Sequence, residues 1–147
     1  MSRLTRPLLF ASSEECERAF YDALEGGDAA ALADLWLEDE DVVCVHPGGP
    51  RLTGHGAVRA SWSAILANGP LHVRSSSRKS LDTPTVAVHN VIEEVLVGQG
   101  KNQQVVSVVA TNAYVKTSAG WKMVLHHASQ ASGGEVVSSS EPHAILH

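Results

Sequence analysis

Two adjacent histidines near the end of the sequence, His126 and His127, are the side chains best suited to acid–base chemistry. They lie in residues 121–129, an apolar segment typical of a β-strand. An imidazole titrates near neutral pH, so a half-buried histidine can serve as acid or base. Because neighbouring residues of a strand point to opposite faces, only one of the two histidines can face a pocket.

The face of this strand that carries Trp121 and Met123 is the more apolar one, and we predict that it is the inner face. On that choice His127 and Ser129 point into a pocket, whereas His126 points outward. The alternative is that His127 is an ordinary core histidine with both ring nitrogens bonded internally.

Four further residues are candidates for the same pocket. His46 ends a short strand, residues 42–46, just before the loop Pro-Gly-Gly-Pro. Trp62 lies on the apolar stripe of a helix, where it either belongs to the core or lines a cavity. Asn112 and Tyr114 share one face of the strand at residues 105–115, and the turn register decides whether that face is the inner one.

Metal and cofactor chemistry is not indicated by the sequence. The chain has eight histidines and two cysteines, but they show no HxH, HExxH or Cys/His spacing. The glycine pairs lack the spacing and the following lysine of a phosphate-binding loop. We therefore predict no metal site and no cofactor, and we interpret Cys16 and Cys44 as buried thiols.

The composition is that of one globular domain of 147 residues, 44% hydrophobic and 18% charged, with a formal net charge of −5. Nucleic acid binding is not expected, because the basic residues are few and scattered. No apolar segment approaches the length of a membrane span. The expected location is the cytoplasm.

The order of elements that must position these side chains is helix, helix, strand, helix and then four strands. A capping box, Ser12 to Glu15, begins the first helix, and Asp28 caps the second. A third helix spans residues 54–67, and strands follow at residues 71–81, 85–97, 105–115 and 121–129. Helices grouped before an antiparallel sheet predict an α+β domain, and a strongly bent sheet over them would enclose a cavity. The last two strands should form the middle of the sheet.

The chain divides into three parts by composition. Residues 1–11 resemble an arm, with Leu8, Leu9 and Phe10 able to dock on the body. The domain itself covers residues 12–130. Residues 131–147 are rich in serine and glycine and are expected to be mobile, or ordered only against a partner.

Three blocks of sequence carry a resemblance to a known family. They are LWLED with VCVHPGG in residues 35–49, LTGHGAV with SW in residues 52–62, and ATNAY with GWKMVLHHAS in residues 110–129. Together they resemble the SnoaL-like branch of the nuclear transport factor two-like superfamily, over about residues 12–130. The resemblance implies a cone, in which a strongly curved, mostly antiparallel sheet wraps three helices and encloses a pocket. It also implies a homodimer formed through the outer face of the sheet.

Members of that superfamily include isomerases, cyclases and dehydratases, as well as proteins that bind a ligand or a partner. The enzymes use a buried carboxylate, or a histidine with a carboxylate, as the base. Here the helix stripes contribute no acid. One of the adjacent pair Glu93 and Glu94 must point inward on a regular strand, and Glu94 is the only inner-strand candidate. We therefore expect a small-molecule-binding protein with an apolar pocket, in which His46, Trp62, Asn112, Tyr114, Ser129 and Glu94 accompany His127.

Two other functions stay open at this point. The same pocket would suit a cofactor-independent isomerase, cyclase or dehydratase that uses His127 or His46 as base. The third possibility is a protein-interaction or dimerisation module, which needs no organised pocket. Fold resemblance alone cannot choose among them.

Overall fold

The structure, a computed structural model, describes residues 9–132. Its helices and strands follow the predicted order, with one additional short strand. The elements are α1 (Ser13–Gly26), α2 (Ala29–Leu35), β1 (Val43–Val45), β2 (Arg51–Thr53), α3 (His55–Leu66), β3 (Val73–Asp82), β4 (Val86–Val97), β5 (Gln104–Thr117) and β6 (Gly120–Gln130). Residues 1–8 of the predicted arm (residues 1–11) and residues 133–147 of the predicted tail (residues 131–147) lie outside the described residues.

The six strands form one mixed sheet in the order β2-β1-β6-β5-β4-β3. All neighbours are antiparallel except β1 and β6, which run parallel. The hairpin of β5 and β6 occupies the middle of the sheet, as predicted. Strand β2 was not predicted, because three residues between two loops give no periodic pattern.

The first two helices form where the capping signals predict them. Ser12 accepts a hydrogen bond from the Glu15 backbone N–H at 3.1 Å, and Gly27 ends α1 in the left-handed conformation with φ of 64°. Asp28 caps α2 by accepting from the Ala31 N–H at 3.0 Å. These caps satisfy helix-end groups that would otherwise lack partners.

Helix α1 lies in the concavity of the sheet and contacts β3, β5 and β6. Contact with both the edge strand β3 and the central strands requires the sheet to curve around the helix. Phe20 is fully buried on the inner stripe of this helix, and Phe10 packs against the same core. Both cysteines are buried free thiols, as predicted, and burial raises their pKa to about 12. The predicted α+β cone is thus confirmed.

A β-bulge in β6 corrects the prediction of which histidine faces inward. Tyr114 pairs with Met123, but the next residue of β5 pairs with Leu125, so Val124 is the extra residue. The side-chain alternation therefore reverses after Met123. His126 points into the domain and is 3% exposed, whereas His127 is exposed on the outer face.

The same reversal places Ser129 on the outer face, so the predictions that His127 and Ser129 face the pocket are wrong. The prediction that His126 faces outward is wrong for the same reason.

Among the described residues, no helix has the length and hydropathy needed to cross a membrane.

Candidate functional site

An apolar cavity of about 290 Å³ lies between α3 and the inner face of the sheet. Strands β4, β5 and β6 contribute alternate residues to its floor, because side chains of one parity share one face. Helix α3 and the end of β1 supply the opposite wall. The lining residues are Leu24, His46, Pro47, Trp62, Ile65, Leu71, Val73, Glu93, Val95, Val97, Val106, Val108, His126, Ala128 and Gln130.

Three titratable side chains interrupt this apolar lining, namely His46, Glu93 and His126. Glu93 and His126 are almost completely buried, and His46 is half-buried. Buried ionisable groups are costly unless they have partners or become neutral. Their hydrogen bonds therefore show which charge state each one adopts.

Glu93 projects inward from β4 and is 5% exposed. Its Oε2 accepts a hydrogen bond from the Tyr21 hydroxyl of α1 at 2.6 Å. Burial raises the pKa of Glu93 and outweighs the opposing effect of the Tyr21 hydrogen bond, while the nearby carboxylate of Glu17 raises it further. The surroundings of Glu93, beside an apolar cavity, thus shift this carboxyl group towards its protonated form.

Glu17, on α1, forms the centre of a second cluster behind the cavity. Its Oε2 accepts hydrogen bonds from Tyr114 at 2.8 Å, His89 at 3.0 Å and Asn112 at 3.3 Å. Burial alone would raise the pKa of this carboxyl, but these donors together hold the pKa below its usual value. Glu17 is therefore the ionised member of the pair, with the Arg78 guanidinium 3.7 Å from its other oxygen.

His126 joins the cavity to this cluster. Its Nδ1 lies 2.6 Å from the Asn112 side-chain oxygen, and its ring packs against the rings of Phe20 and Trp62 with centroids 5.2 Å and 5.6 Å away. Burial, with smaller effects from the neighbouring histidines, lowers the pKa of His126 to about 3. The imidazole is neutral at physiological pH.

His46 lies at the wall of the cavity, at the end of β1. Its Nε2 is 2.7 Å from the Ser61 hydroxyl, and its ring packs edge-on against Trp62 with centroids 4.6 Å apart. Burial lowers the pKa of His46, so this side chain also favours its neutral form. The Trp62 indole N–H is buried and has no hydrogen-bond partner within residues 9–132.

The structure divides the predicted site residues into three groups. His46 and Trp62 line the cavity. Asn112 and Tyr114 face inward but lie in the hydrogen-bonded cluster behind the lining. His127, Ser129 and Glu94 are exposed on the outer face.

The carboxylate prediction fails in two respects. Glu93, not Glu94, faces inward, because β4 pairs Glu93 with the inner residue Val108 and Glu94 with the outer residue Ser107. Helix α1 does contribute an acid, Glu17, although the helix stripes were expected to contribute none.

The residues that sequence reasoning missed have a signal in the spacing of α1. Ser13, Glu17 and Tyr21 follow one another at intervals of four, which places them on one helix face beside the apolar stripe. All three are buried, and Ser13 lies 3.1 Å from His89 Nε2. A polar stripe at helical spacing facing a sheet would have indicated a buried polar network.

Comparison with known proteins identifies one family model and a group of solved structures with the same fold. The model of the SnoaL-like domain matches residues 14–133. No functionally curated protein matches the sequence significantly. A candidate dehydratase of the nuclear transport factor two-like (NTF2-like) family from Streptomyces avermitilis is 35% identical with a TM-score of 0.73, and the match covers 80% of this chain and 92% of that chain.

Two further solved structures share the fold. A candidate calcium/calmodulin-dependent protein kinase type II association domain from Thiobacillus denitrificans is 30% identical with a TM-score of 0.77, over 85% of this chain and 99% of that chain. A candidate ketosteroid isomerase from Parabacteroides distasonis has a TM-score of 0.67 over 88% of this chain and 100% of that chain. At 16% identity, this second similarity concerns the fold alone.

Proposed function

Because the chain belongs to the SnoaL-like domain family, we propose that it binds a small, mostly apolar molecule in the cavity between α3 and the inner face of the sheet. The observation that carries this proposal is the contrast within the lining. Most of the wall is aliphatic, and the polar side chains are few and specifically placed, as in small-molecule sites generally.

The size of the cavity limits the ligand. Its volume of about 290 Å³ is near the lower end of the range for ligand pockets, roughly 300–1,000 Å³. An apolar cavity of about 150 Å³ holds benzene. A ligand with about two fused rings, or an aliphatic molecule of similar bulk, therefore matches the space.

Filling the cavity tests the proposal. Ala128 lines the cavity and is buried, so Ala128→Leu should occupy part of the ligand space. The adjacent Ser129 is exposed on the outer face, and Ser129→Leu is the matched control. Naphthalene binding, followed by thermal shift and by tryptophan fluorescence, should weaken at least tenfold in Ala128→Leu and stay unchanged in Ser129→Leu. Equal binding by both variants would place the probe elsewhere and contradict the proposal.

A second function, proton-transfer catalysis without a cofactor, is favoured by one observation. Burial raises the pKa of Glu93 beside the cavity, and neutral His126 and His46 lie in the same lining. A carboxyl group with a raised pKa and a neutral imidazole in one lining provide an acid and a base, which isomerisation, cyclisation or dehydration requires. The similarity to the Streptomyces avermitilis candidate dehydratase supports the same chemistry.

Exchange of carbon-bound protons provides a test that needs no known substrate. In D₂O, the protein should accelerate deuterium incorporation next to the carbonyl of 2-tetralone, measured by NMR. Glu93→Gln should abolish the acceleration while leaving naphthalene binding intact. If wild-type protein exchanges the probe no faster than buffer does, catalysis through an enol is refuted and the binding function stands alone.

We further propose that two copies pair through the outer face of the sheet. Val88, Ile92, Val109, Ala113 and Leu125 form a partly exposed apolar surface there, and Val105 at its edge is 63% exposed. An apolar surface of this kind is typical of a protein–protein contact. Light scattering should give a dimer mass, and Val109→Asp should give a monomer that remains folded. A wild-type monomer at micromolar concentration would contradict pairing.

A further inference from the structure

The orientation of the Asn112 amide is determined by its neighbours. Its side-chain nitrogen lies 3.3 Å from Glu17 Oε2 and 3.1 Å from the Tyr21 hydroxyl oxygen. Ionised Glu17 can only accept hydrogen bonds, and Tyr21 directs its own proton to Glu93 at 2.6 Å. Both neighbours on this side are therefore acceptors, so the amide must present its NH₂ group to them and its oxygen to the opposite side.

The opposite side is occupied by His126. The Asn112 oxygen lies 2.6 Å from His126 Nδ1, and an amide oxygen cannot donate. Nδ1 must therefore carry a hydrogen. The ring packs against Phe20 and Trp62 and is 3% exposed, so a second proton and a positive charge are disfavoured.

The remaining nitrogen, Nε2, is then an unprotonated acceptor. Within residues 9–132 it has no hydrogen-bond partner, and His126 is one of the residues that line the cavity. Within the described residues, the fully buried polar side-chain atoms that lack a partner are the indole nitrogens of Trp36 and Trp62, so Nε2 keeps accessible surface that a donor in the cavity can reach. The ligand that fits best is one that supplies the missing donor.

We propose that Glu17, acting through Asn112, holds His126 in the Nδ1–H tautomer, so that Nε2 accepts a hydrogen bond from a hydroxyl or N–H group of an otherwise apolar ligand. The ligand class rests on the proposed binding function. The tautomer does not, because it follows from contacts within the protein. Glu17 and Asn112 act as positioning residues, and His126 is the residue that contacts the ligand.

The tautomer is measured directly in the ligand-free protein. Long-range ¹H–¹⁵N correlation spectra should show a protonated Nδ1 and an unprotonated Nε2 for His126, without change across neutral pH. A protonated Nε2 would overturn the proposal. Asn112→Leu removes the acceptor for Nδ1–H, so the His126 nitrogen shifts should move towards a mixture of tautomers. An unchanged Nδ1–H signature in a folded Asn112→Leu protein would refute the positioning role, and if this variant does not fold the wild-type spectrum still decides the tautomer.

The ligand class is tested with three probes of similar shape, namely 2-naphthol, 2-methoxynaphthalene and naphthalene. Wild-type protein should bind 2-naphthol at least tenfold more tightly than the methyl ether, because only the naphthol donates to Nε2. His126→Leu should remove this preference, whereas His127→Leu, the neighbouring histidine on the outer face, should retain it.

Each outcome identifies the statement that fails. If the probes bind without a preference for the hydroxyl, or if the preference survives in His126→Leu, the acceptor role is refuted while the binding function stands. If none of the three probes binds, the proposed function fails together with the ligand class, and the ligand-free spectrum alone judges the tautomer.

Discussion

The two buried carboxyl groups, Glu17 and Glu93, should respond in opposite ways to replacement by glutamine. Glu93 lies beside the apolar cavity, where burial favours its neutral form. Glutamine is neutral at every pH and still offers an oxygen to the Tyr21 hydroxyl. Glu17 accepts three hydrogen bonds on one oxygen, and glutamine replaces its charge with a neutral amide. Glu93→Gln should therefore stabilise the protein at pH 8, and Glu17→Gln should destabilise it.

The pH dependence gives each effect its size and sign. The folded pKa of Glu93 is raised above the usual value of 4.5, so the contribution of this group to the free energy of unfolding is fully present below pH 4.5. It falls by about 1.4 kcal/mol per pH unit until the folded pKa is reached. The free energy of unfolding of Glu93→Gln should thus equal that of wild type near pH 4 and exceed it increasingly above pH 4.5.

For Glu17 the sign is reversed. Its folded pKa is lowered, so its contribution is present above the unfolded value of 4.5 and is lost as the pH falls through the folded pKa. At pH 7, each hydrogen bond to the charge that glutamine fails to replace should cost about 1.5–3 kcal/mol. This cost should decrease as the pH is lowered below 4.5.

Urea unfolding at pH 4, 5.5, 7 and 8 measures all of these quantities by linear extrapolation. Glu94→Gln is the matched control, because Glu94 is adjacent to Glu93 but exposed on the outer face. It should change the free energy of unfolding by less than about 0.5 kcal/mol at every pH. The reasoning is refuted if Glu93→Gln destabilises the protein at pH 8, or if Glu17→Gln is neutral at pH 7.

Three further measurements examine the same region. Tyr114→Phe should lower the free energy of unfolding by about 1.5–3 kcal/mol at pH 7, because it removes the hydroxyl bonded to ionised Glu17. Its control is Thr111→Val, which removes a neutral hydrogen bond on the outer face of β5. This control should cost about 0.5–1.5 kcal/mol without pH dependence. His126→Leu should flatten the stability curve between pH 6.5 and 3, since wild type loses about 1.4 kcal/mol per pH unit there as the unfolded but not the folded histidine binds a proton. Deletion of Val124 should leave the chain folded, with the His126 tautomer signals of wild type. The reason is that Met123 and Leu125, on either side of the bulge, already pair with consecutive residues of β5. An exposed, titrating His126 in the deletion variant would contradict this prediction.

The fold was predictable from the sequence because its signals are local. The Ser12–Glu15 capping box, the glycine at the end of α1 and the two long β-branched segments at residues 85–97 and 105–115 each determine an element without reference to the rest of the chain. The order of those elements then leaves few architectures that bury their apolar faces.

The inner faces of two strands were not predictable in this way. Strand β4 is apolar on both faces, since Val91 and Val95 face inward while Val88 and Ile92 face outward. Its pattern therefore does not show which of the two adjacent acids faces inward. In β6 the bulge lies within the apolar run Met123, Val124 and Leu125, so the sequence does not reveal that the alternation of side chains reverses there. A bulge depends on pairing with the neighbouring strand, which a single strand's sequence does not show.

The hydrogen-bond pattern around Tyr21 connects the charge of one carboxyl group to the chemistry of the other. Its hydroxyl has one proton, which it donates to Glu93, and its oxygen accepts from Asn112. Asn112 can donate there because its other N–H is directed to ionised Glu17. If Glu17 were neutral, the Asn112 amide could reverse. The direction of the Tyr21 proton and the tautomer of His126 would then no longer be determined. The ionised carboxylate behind the cavity is thus the group that fixes the direction of the hydrogen bonds at Glu93 and at His126, whether the ligand is only bound or also transformed.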